Sequence, residues 1–260
     1  MQASSSNPVL NAAEGDQRRL YGDLAWIWPI ISPPEHYIEE TKKFCKVIRE
    51  HSQTEVKPLL DLGCGGGHND YTLKKHFEVT GVDVSLPMLE LARRLNPEVN
   101  YSLGDMRTVR LGKTFDAVTI FDSINYMLTV EDLRAAFVTA FRHLKPSGVF
   151  LTLVEGSTER FQQNRTLCST HSRDDIEITF IQSYYDPNPT DTTYEATFVY
   201  LIRRGGRLEI ETDRHLCGIF GLDIWFGLLK EVGFEVKQME FRPSGMEGEG
   251  YPMLVCIKPL

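Results

Sequence analysis

Asp61-Leu62-Gly63-Cys64-Gly65-Gly66-Gly67 stands where a short apolar run, Pro58–Leu62, gives way to a segment of helical period at 70–76. Glycines in a strand-to-helix turn let the backbone take positive φ and come close to a ligand, and the helix start beyond it offers unpaired N–H groups. Outward from this turn, short apolar runs recur at the spacing of βαβ units, each followed by a turn and a helix-period segment. Strands are predicted over 58–62, 78–84, 99–103, 115–121 and 149–155, with crossover helices over 70–76, 87–95 and 131–143, the last broken by Lys145-Pro146-Ser147-Gly148. Such alternation predicts an α/β fold, a mainly parallel sheet with helices on both faces.

Ahead of the first strand, 16–28 and 35–51 read as helices separated by Ile31-Ser32-Pro33-Pro34, and together they make an N-terminal helical cap, 1–57. A segment so placed can close over a site like a lid. After Glu155 the pattern changes. Residues 175–185, 193–203 and 207–216 alternate as strands do with no helix between them, with Arg203-Arg204-Gly205-Gly206 as a hairpin turn and 186–191 as a longer loop. Residues 156–216 therefore read as an antiparallel β insertion. A helix over 222–232, ended by Gly233, and strands over 234–241 and 253–257 complete the main domain, 58–155 with 217–260. Two closing strands without a helix between them predict an antiparallel hairpin at the sheet edge.

The bulk composition narrows the function classes. The 260 residues are 42% hydrophobic and 25% charged, ordinary for a globular protein. A net charge of -8, from 28 basic and 36 acidic side chains, with no run of five Lys or Arg, argues against nucleic-acid binding. Five scattered cysteines without a C-x-x-C pair give no zinc or redox signature, so no metal is expected and a reduced, cytoplasmic setting fits. The N-terminus is polar without an apolar core, and no apolar run approaches the ~20 residues that span a bilayer, so no membrane association is expected.

The ligand of the turn can be argued from charge. Asp83 lies 20 residues beyond Gly63 at the end of the second strand, where a carboxylate accepts both hydroxyls of an adenosine ribose. A dinucleotide and S-adenosylmethionine share that ribose. The dinucleotide fingerprint takes Gly or Ala at its sixth position, which here is His68. Asp61 stands two residues before the first glycine, where its charge would repel a pyrophosphate and attract the ammonium and sulfonium of S-adenosylmethionine. After the third strand, Asp105 can accept from an adenine amino group and Met106 can pack on the ring. Cys64, Val84, Met88 and Phe121, beside these groups in sequence, complete the cofactor candidates. His68 and Asn69 open the first crossover helix and can hydrogen-bond the carboxylate end of the cofactor, although capping is the simpler account of Asn69. Asp116 reads as structural.

The ordered motifs D-L-G-C-G-G-G (61–67), G-V-D-V-S (81–85), G-D-M (104–106), F-D-A-V (115–118) and H-L-K-P-S-G (143–148) resemble those of the class I S-adenosylmethionine-dependent methyltransferases across 58–155. The resemblance implies a Rossmann-like, seven-stranded, mainly parallel sheet with its last strand antiparallel. It also implies cofactor contacts at Asp61, Gly63, Gly65, Gly67, Asp83, Asp105 and Met106. A narrower resemblance is carried by the Tyr21 segment, Gly104-Asp105-Met106-Arg107, Ser123-Ile124, the strand-rich insertion, Arg214-His215-Leu216 and Pro243-Ser244-Gly245. These are similar to the N,N-dimethyltransferases of nucleotide-linked amino-deoxysugars. That similarity implies a small-molecule acceptor, the sugar amine of a thymidine diphosphate sugar, and an insertion that serves substrate binding and a homodimer. The chain departs from the family at Tyr126, where a histidine is common, and at Gly156-Ser157, where a Trp-Trp pair is common, while Glu155 keeps the preceding carboxylate.

Methyl transfer from a sulfonium is an in-line displacement, so alignment and a dry pocket matter more than a covalent nucleophile. An attacking amine must be neutral, and a nearby acceptor orients it or takes its proton. The candidates are Tyr126 and Asp122 after the fourth strand, Glu155 after the fifth, Tyr21 from the N-terminal cap and His215 from the insertion. Packing alone can account for Tyr21 and Tyr126, capping for Asp122, and His215 is more often a strand-surface residue than a base. Arg214 can pair with a substrate phosphate or form a salt bridge. An oxygen or carboxyl acceptor, a non-catalytic cofactor-binding module and a dinucleotide oxidoreductase stay open as alternatives.

Overall fold

The structure, a computed structural model, describes residues 16–243 and 250–260. Its strands are β1 (Pro58–Leu62), β2 (Glu78–Asp83), β3 (Asn100–Leu103), β4 (Phe115–Ile120), β5 (Leu144–Leu153), β6 (Arg165–Arg173), β7 (Ile176–Tyr185), β8 (Thr193–Arg204), β9 (Arg207–Gly218), β10 (Glu235–Phe241) and β11 (Tyr251–Ile257). Its α-helices are α1 (Trp28–Ile31), α2 (Ile38–His51), α3 (Asp70–Leu73), α4 (Leu86–Leu95), α5 (Val130–His143) and α6 (Leu222–Val232).

Seven strands form one sheet in the order β10-β11-β5-β4-β1-β2-β3. β1 pairs in parallel with both β2 and β4, and β11 runs antiparallel to both of its neighbours. This is the Rossmann-like architecture that the alternation predicts. Burial of every β4 residue follows from helices on both faces. On one face α5 and α6 bring Phe137 and Trp225 against Phe150; on the other α2 packs Phe44 and Ile48 onto Leu59 and Phe121. Asp116, buried within β4, has both oxygens engaged, by Lys145 Nζ at 2.7 Å and the Lys57 amide at 3.0 Å. Topology reverses between β1 and β4, so the loops leaving their carboxyl ends diverge and open a crevice.

A second, antiparallel sheet, β6-β7-β8-β9, follows β5. Its inner face carries Phe180, Phe198 and Tyr200, which pack with Leu20 and Ile27 of the N-terminal segment. The hairpin between β8 and β9 turns on Gly205 and Gly206 at φ +54° and +80°, with Arg204 paired to Arg207.

The expectations fail at four places. Residues 16–28 are not a helix but two 3-10 turns, Arg19–Tyr21 and Ala25–Ile27, because the amides that would start a helix bond to β9 instead: Gln17 N donates to Arg214 O, and Arg19 N and Leu20 N donate to Asp213. The first crossover helix closes after Leu73. β5 begins at Leu144, taking in the residues read as a breaker, with a register shift against β4 that Ser147 at φ +61° accommodates. β6 is an unpredicted strand. Of the motif Pro243-Ser244-Gly245, the last two residues lie outside the described residues. Among the described residues no helix is long and apolar enough to cross a membrane.

Candidate active site

Gly63, Gly65 and Gly67 all take positive φ, +75°, +53° and +75°. The turn is fastened to β2 by Gly63 N and Cys64 N, both donating to Val82 O at 2.7 and 3.1 Å. A Cβ at Gly63 would stand 2.1 Å from Ser123 Oγ, so the residue after β4 and the turn after β1 close on one another only across a glycine. A cavity of about 500 Å³ opens at this point. Asp61, Gly63, Cys64 and Gly65 stand on its wall with Asp83 and Val84, and Met88, Asp105, Met106 and Phe121 complete it. Gly67 does not. It lies behind the wall, where a Cβ would stand 2.6 Å from Asn96 Nδ2 and 2.7 Å from Tyr101 Oη, so its glycine serves packing rather than ligand contact, and Gly66 lines the cavity instead.

At the end of β2, Asp83 Oδ2 accepts from Gly65 N and its Oδ1 from Ser85 N, both at 2.8 Å. Burial pushes its carboxyl up, and the backbone donors hold part of that shift back. Ser85 then caps α4 by accepting from Met88 N at 3.1 Å, while its hydroxyl donates to Tyr21 O at 2.5 Å. Met106 packs behind Gly63, with its Cε 2.8 Å from where a Cβ would be. The Asp105 carboxylate is gripped by Arg107 (Nη2 to Oδ2, 2.6 Å), which also reaches Asp132 at 2.8 Å. Burial alone would raise Asp105; the Arg107 contacts outweigh it and hold it below its ordinary range.

Asp61 pairs in register with Thr119 on β4, whose hydroxyl donates to Asp61 Oδ1 at 2.8 Å. Its charge is not its own. Asp70, which opens α3, lies against it and receives Tyr101 OH at 2.9 Å. Burial first, then the neighbouring carboxylate, pushes Asp61 well above the usual carboxylate range; burial brings Asp70 up to about 7, against the pull of Tyr101, Asp61 and Lys74. Of these two neighbouring carboxyls, Asp61 stands on the cavity wall. The sequence reading missed Asp70 because an acid at a helix start reads as dipole compensation. His68 is neutral, since burial lowers it to about 4, and it stacks on Trp28 at 5.8 Å. Asn69 caps nothing; its Oδ1 accepts from Thr41 Oγ1 at 2.8 Å.

A second cavity, of about 460 Å³, lies between the carboxyl end of the main sheet and the inner face of the second sheet. The two cavities share Tyr21, Trp28, Asp122 and Tyr126. Glu155 lines the second one, pushed well above its ordinary range by burial and then by Asp122, to which it hydrogen-bonds. Arg160 and Arg165 stand on the same wall. Tyr126 OH donates to Tyr21 Oη at 2.9 Å, and burial pushes both phenols up. Four of the five catalytic candidates thus meet at or beside the junction. His215 does not: it is fully buried and lines neither cavity, lying behind Tyr126 with Nδ1 at 2.6 Å from its hydroxyl. Arg214 is on the opposite face of β9, held by Glu195, and lines neither cavity.

The geometry can now be set beside known proteins. A methyltransferase domain family model matches residues 59–148. The dTDP-4-amino-2,3,4,6-tetradeoxy-D-glucose N,N-dimethyltransferase of Saccharopolyspora spinosa is 40% identical over 194 residues, 74% of this chain and 76% of that one. The chain belongs to the class I S-adenosylmethionine-dependent methyltransferases. A further relative of this methyltransferase is the dTDP-3-amino-3,4,6-trideoxy-alpha-D-glucopyranose N,N-dimethyltransferase of Streptomyces venezuelae, 29% identical over 211 residues, 80% of this chain and 88% of the relative. Among solved structures, Streptomyces venezuelae DesVI superposes with a TM-score of 0.79 at 25% identity, covering 92% of this chain and 96% of that one. S-adenosylmethionine-bound CalS10, an amino pentose methyltransferase from Micromonospora echinaspora, gives 0.75 at 25% identity, covering 85% and 91%.

S-adenosylmethionine is the cofactor of the methyltransferase, and the residues present fit it. The cavity joins a carboxylate at the end of β2, an apolar wall of Met88 and Met106, and the Asp61 carboxyl beside the glycine turn.

Proposed function

We propose that the methyltransferase transfers a methyl group to the amine of a nucleotide-linked amino-deoxysugar. The observation that carries this reading is the second cavity: it meets the cofactor cavity at Tyr21, Trp28, Asp122 and Tyr126, with carboxylates at the meeting point and Arg160 and Arg165 on its wall. Carboxylates suit an amine and arginines suit a diphosphate. The names of the relatives, which act on amines of dTDP-linked sugars, support the same class.

In this reading Asp83 receives the ribose hydroxyls, Met106 covers the adenine with Asp105 at its amino edge, and the Asp61 side of the turn faces the cationic end of the methionine. The cofactor supplies an electrophilic methyl. Asp122 attracts the acceptor ammonium, and Glu155, whose carboxyl burial and then Asp122 push well above its ordinary range, is the proton acceptor beside it. The insertion, 156–216, forms the acceptor side, and the N-terminal cap, whose residues 1–15 lie outside the described residues, borders both cavities through Tyr21 and Trp28. The outer face of the insertion, with Ile210 exposed on β9, serves a homodimer.

The test is a methyl-transfer screen with S-adenosylmethionine across dTDP-linked amino sugars, free amines, sugar hydroxyls and carboxylic acids. Turnover of the nucleotide-linked amines is expected, with Glu155→Gln lowering kcat about 100-fold. Turnover confined to hydroxyls or carboxylates would overturn the proposal.

A further inference from the structure

The inner face of β9 carries Asp213 and His215, 1% and 0% exposed, with the His215 ring centred 4.6 Å from that of Phe198. A carboxylate and an imidazole at such depth are costly unless every polar atom is satisfied, and apolar side chains would fill the same space more cheaply if packing were their only task. Their hydrogen bonds are complete. Asp213 Oδ1 accepts from Arg19 N at 2.9 Å; Oδ2 accepts from Leu20 N at 2.7 Å and lies 2.7 Å from His215 Nε2. The other ring nitrogen, Nδ1, lies 2.6 Å from Tyr126 Oη, which in turn donates to Tyr21 Oη at 2.9 Å. A string thus runs from a fully covered carboxylate to two hydroxyls standing where both cavities meet.

We propose that Asp213 and His215 are positioning residues of the methyl transfer, fixing the hydroxyls of Tyr126 and, through it, Tyr21 at the junction between cofactor and acceptor. A phenolic O–H otherwise turns about its C–O bond, and a neighbour that uses one of its lone pairs or its proton removes that freedom. Asp213 adds a second restraint, because the segment carrying Tyr21 hangs from it by two backbone amides. The histidine that stands behind the tyrosine therefore acts from the insertion, not from the loop after β4. This role requires methyl transfer in this site and holds whichever acceptor occupies the second cavity.

The experiment compares His215→Asn, Asp213→Asn, Tyr126→Phe and the His215→Asn/Tyr126→Phe double variant, with S-adenosylmethionine and a dTDP-linked amino-deoxysugar. Each single variant should keep its KM for S-adenosylmethionine within about two-fold and lose about 10–100-fold in kcat, the range expected for a small misalignment at the reacting centre. The double variant should be no slower than Tyr126→Phe, since His215 acts through Tyr126. Wild-type kcat in folded His215→Asn, or additive losses in the double variant, would overturn the proposal. Absence of turnover by the wild type on this acceptor would count against the acceptor reading alone. The string is then read in the S-adenosylhomocysteine complex, where a slowly exchanging Tyr126 hydroxyl proton should appear by NMR in the wild type and vanish in His215→Asn; its persistence there would equally overturn the proposal.

Discussion

Asp61 and Asp70 together make a single group with a pH-dependent consequence. Both carboxyls sit above their ordinary range in the folded chain, Asp70 at about 7. Carboxyls raised on folding contribute stability that is full at low pH and lost as pH rises through the folded value. The melting temperature of the cofactor-free protein should therefore fall between pH 5 and pH 8 relative to Asp70→Asn, which lacks one of the two charges; parallel curves would refute the pairing. A cation entering the cavity favours the ionised form of these raised carboxyls, so S-adenosylmethionine binding should strengthen as pH rises toward 8 and release protons in calorimetry. At the end of β2, Asp83→Ala leaves the amides of Gly65 and Ser85 without their acceptor and should weaken S-adenosylhomocysteine binding by roughly 1–3 kcal/mol, read by titration calorimetry. The sequence made Asp83 and Asp61 visible because both sit at strand ends. Asp70 and Asp213 were hidden by having ordinary readings, a helix-start acid and a strand-surface acid, although the two-residue period that puts Asp213 and His215 on one face of β9 was there to be used.

The turn after β1 and the hairpin after β8 contain glycines of similar backbone and opposite surroundings. Gly63 has φ +75° and no room for a Cβ, whereas Gly205 has φ +54° and nothing within 4 Å. Gly63→Ala should cost about 2–4 kcal/mol in chemical denaturation and abolish cofactor binding, while Gly205→Ala should cost only the ~1 kcal/mol of left-handed strain. At this scale the strands of the main sheet and α6 were legible because burial on one or two faces imposes a period on them. β6 was not. Its inward residues Leu167, Ser169 and His171 line a cavity instead of a core, so polar groups occupy the positions where alternation would have been apolar. The 16–28 segment misled in the opposite way: its apolar residues are spaced as for a helix, but the amides of Gln17, Arg19 and Leu20 bond to β9, and others close only 3-10 turns.

Across the whole molecule, two sheets and an N-terminal segment meet around a single line of side chains. The second sheet supplies one wall of the acceptor cavity with its inner face and leaves Ile210, 60% exposed, on the outer one. If that face joins two copies, Ile210→Asp should shift the protein to monomer in sedimentation velocity at micromolar concentration while leaving cofactor affinity unchanged; an unaltered sedimentation coefficient would place any interface elsewhere. The N-terminal segment is held from both sides, by Asp213 on the second sheet and by the Ser85 hydroxyl on the main one. Ser85 is itself hydrogen-bonded to Asp83, and Arg18 and Arg19 stand on the cofactor cavity wall. The peptide bonds after these two arginines thus lie in a stretch that borders the cofactor cavity and is tied to both sheets. Trypsin should cut there more slowly once S-adenosylhomocysteine fills the cavity than in the empty enzyme, so the rate at which a clipped amino terminus appears on a gel would report cofactor occupancy without any turnover.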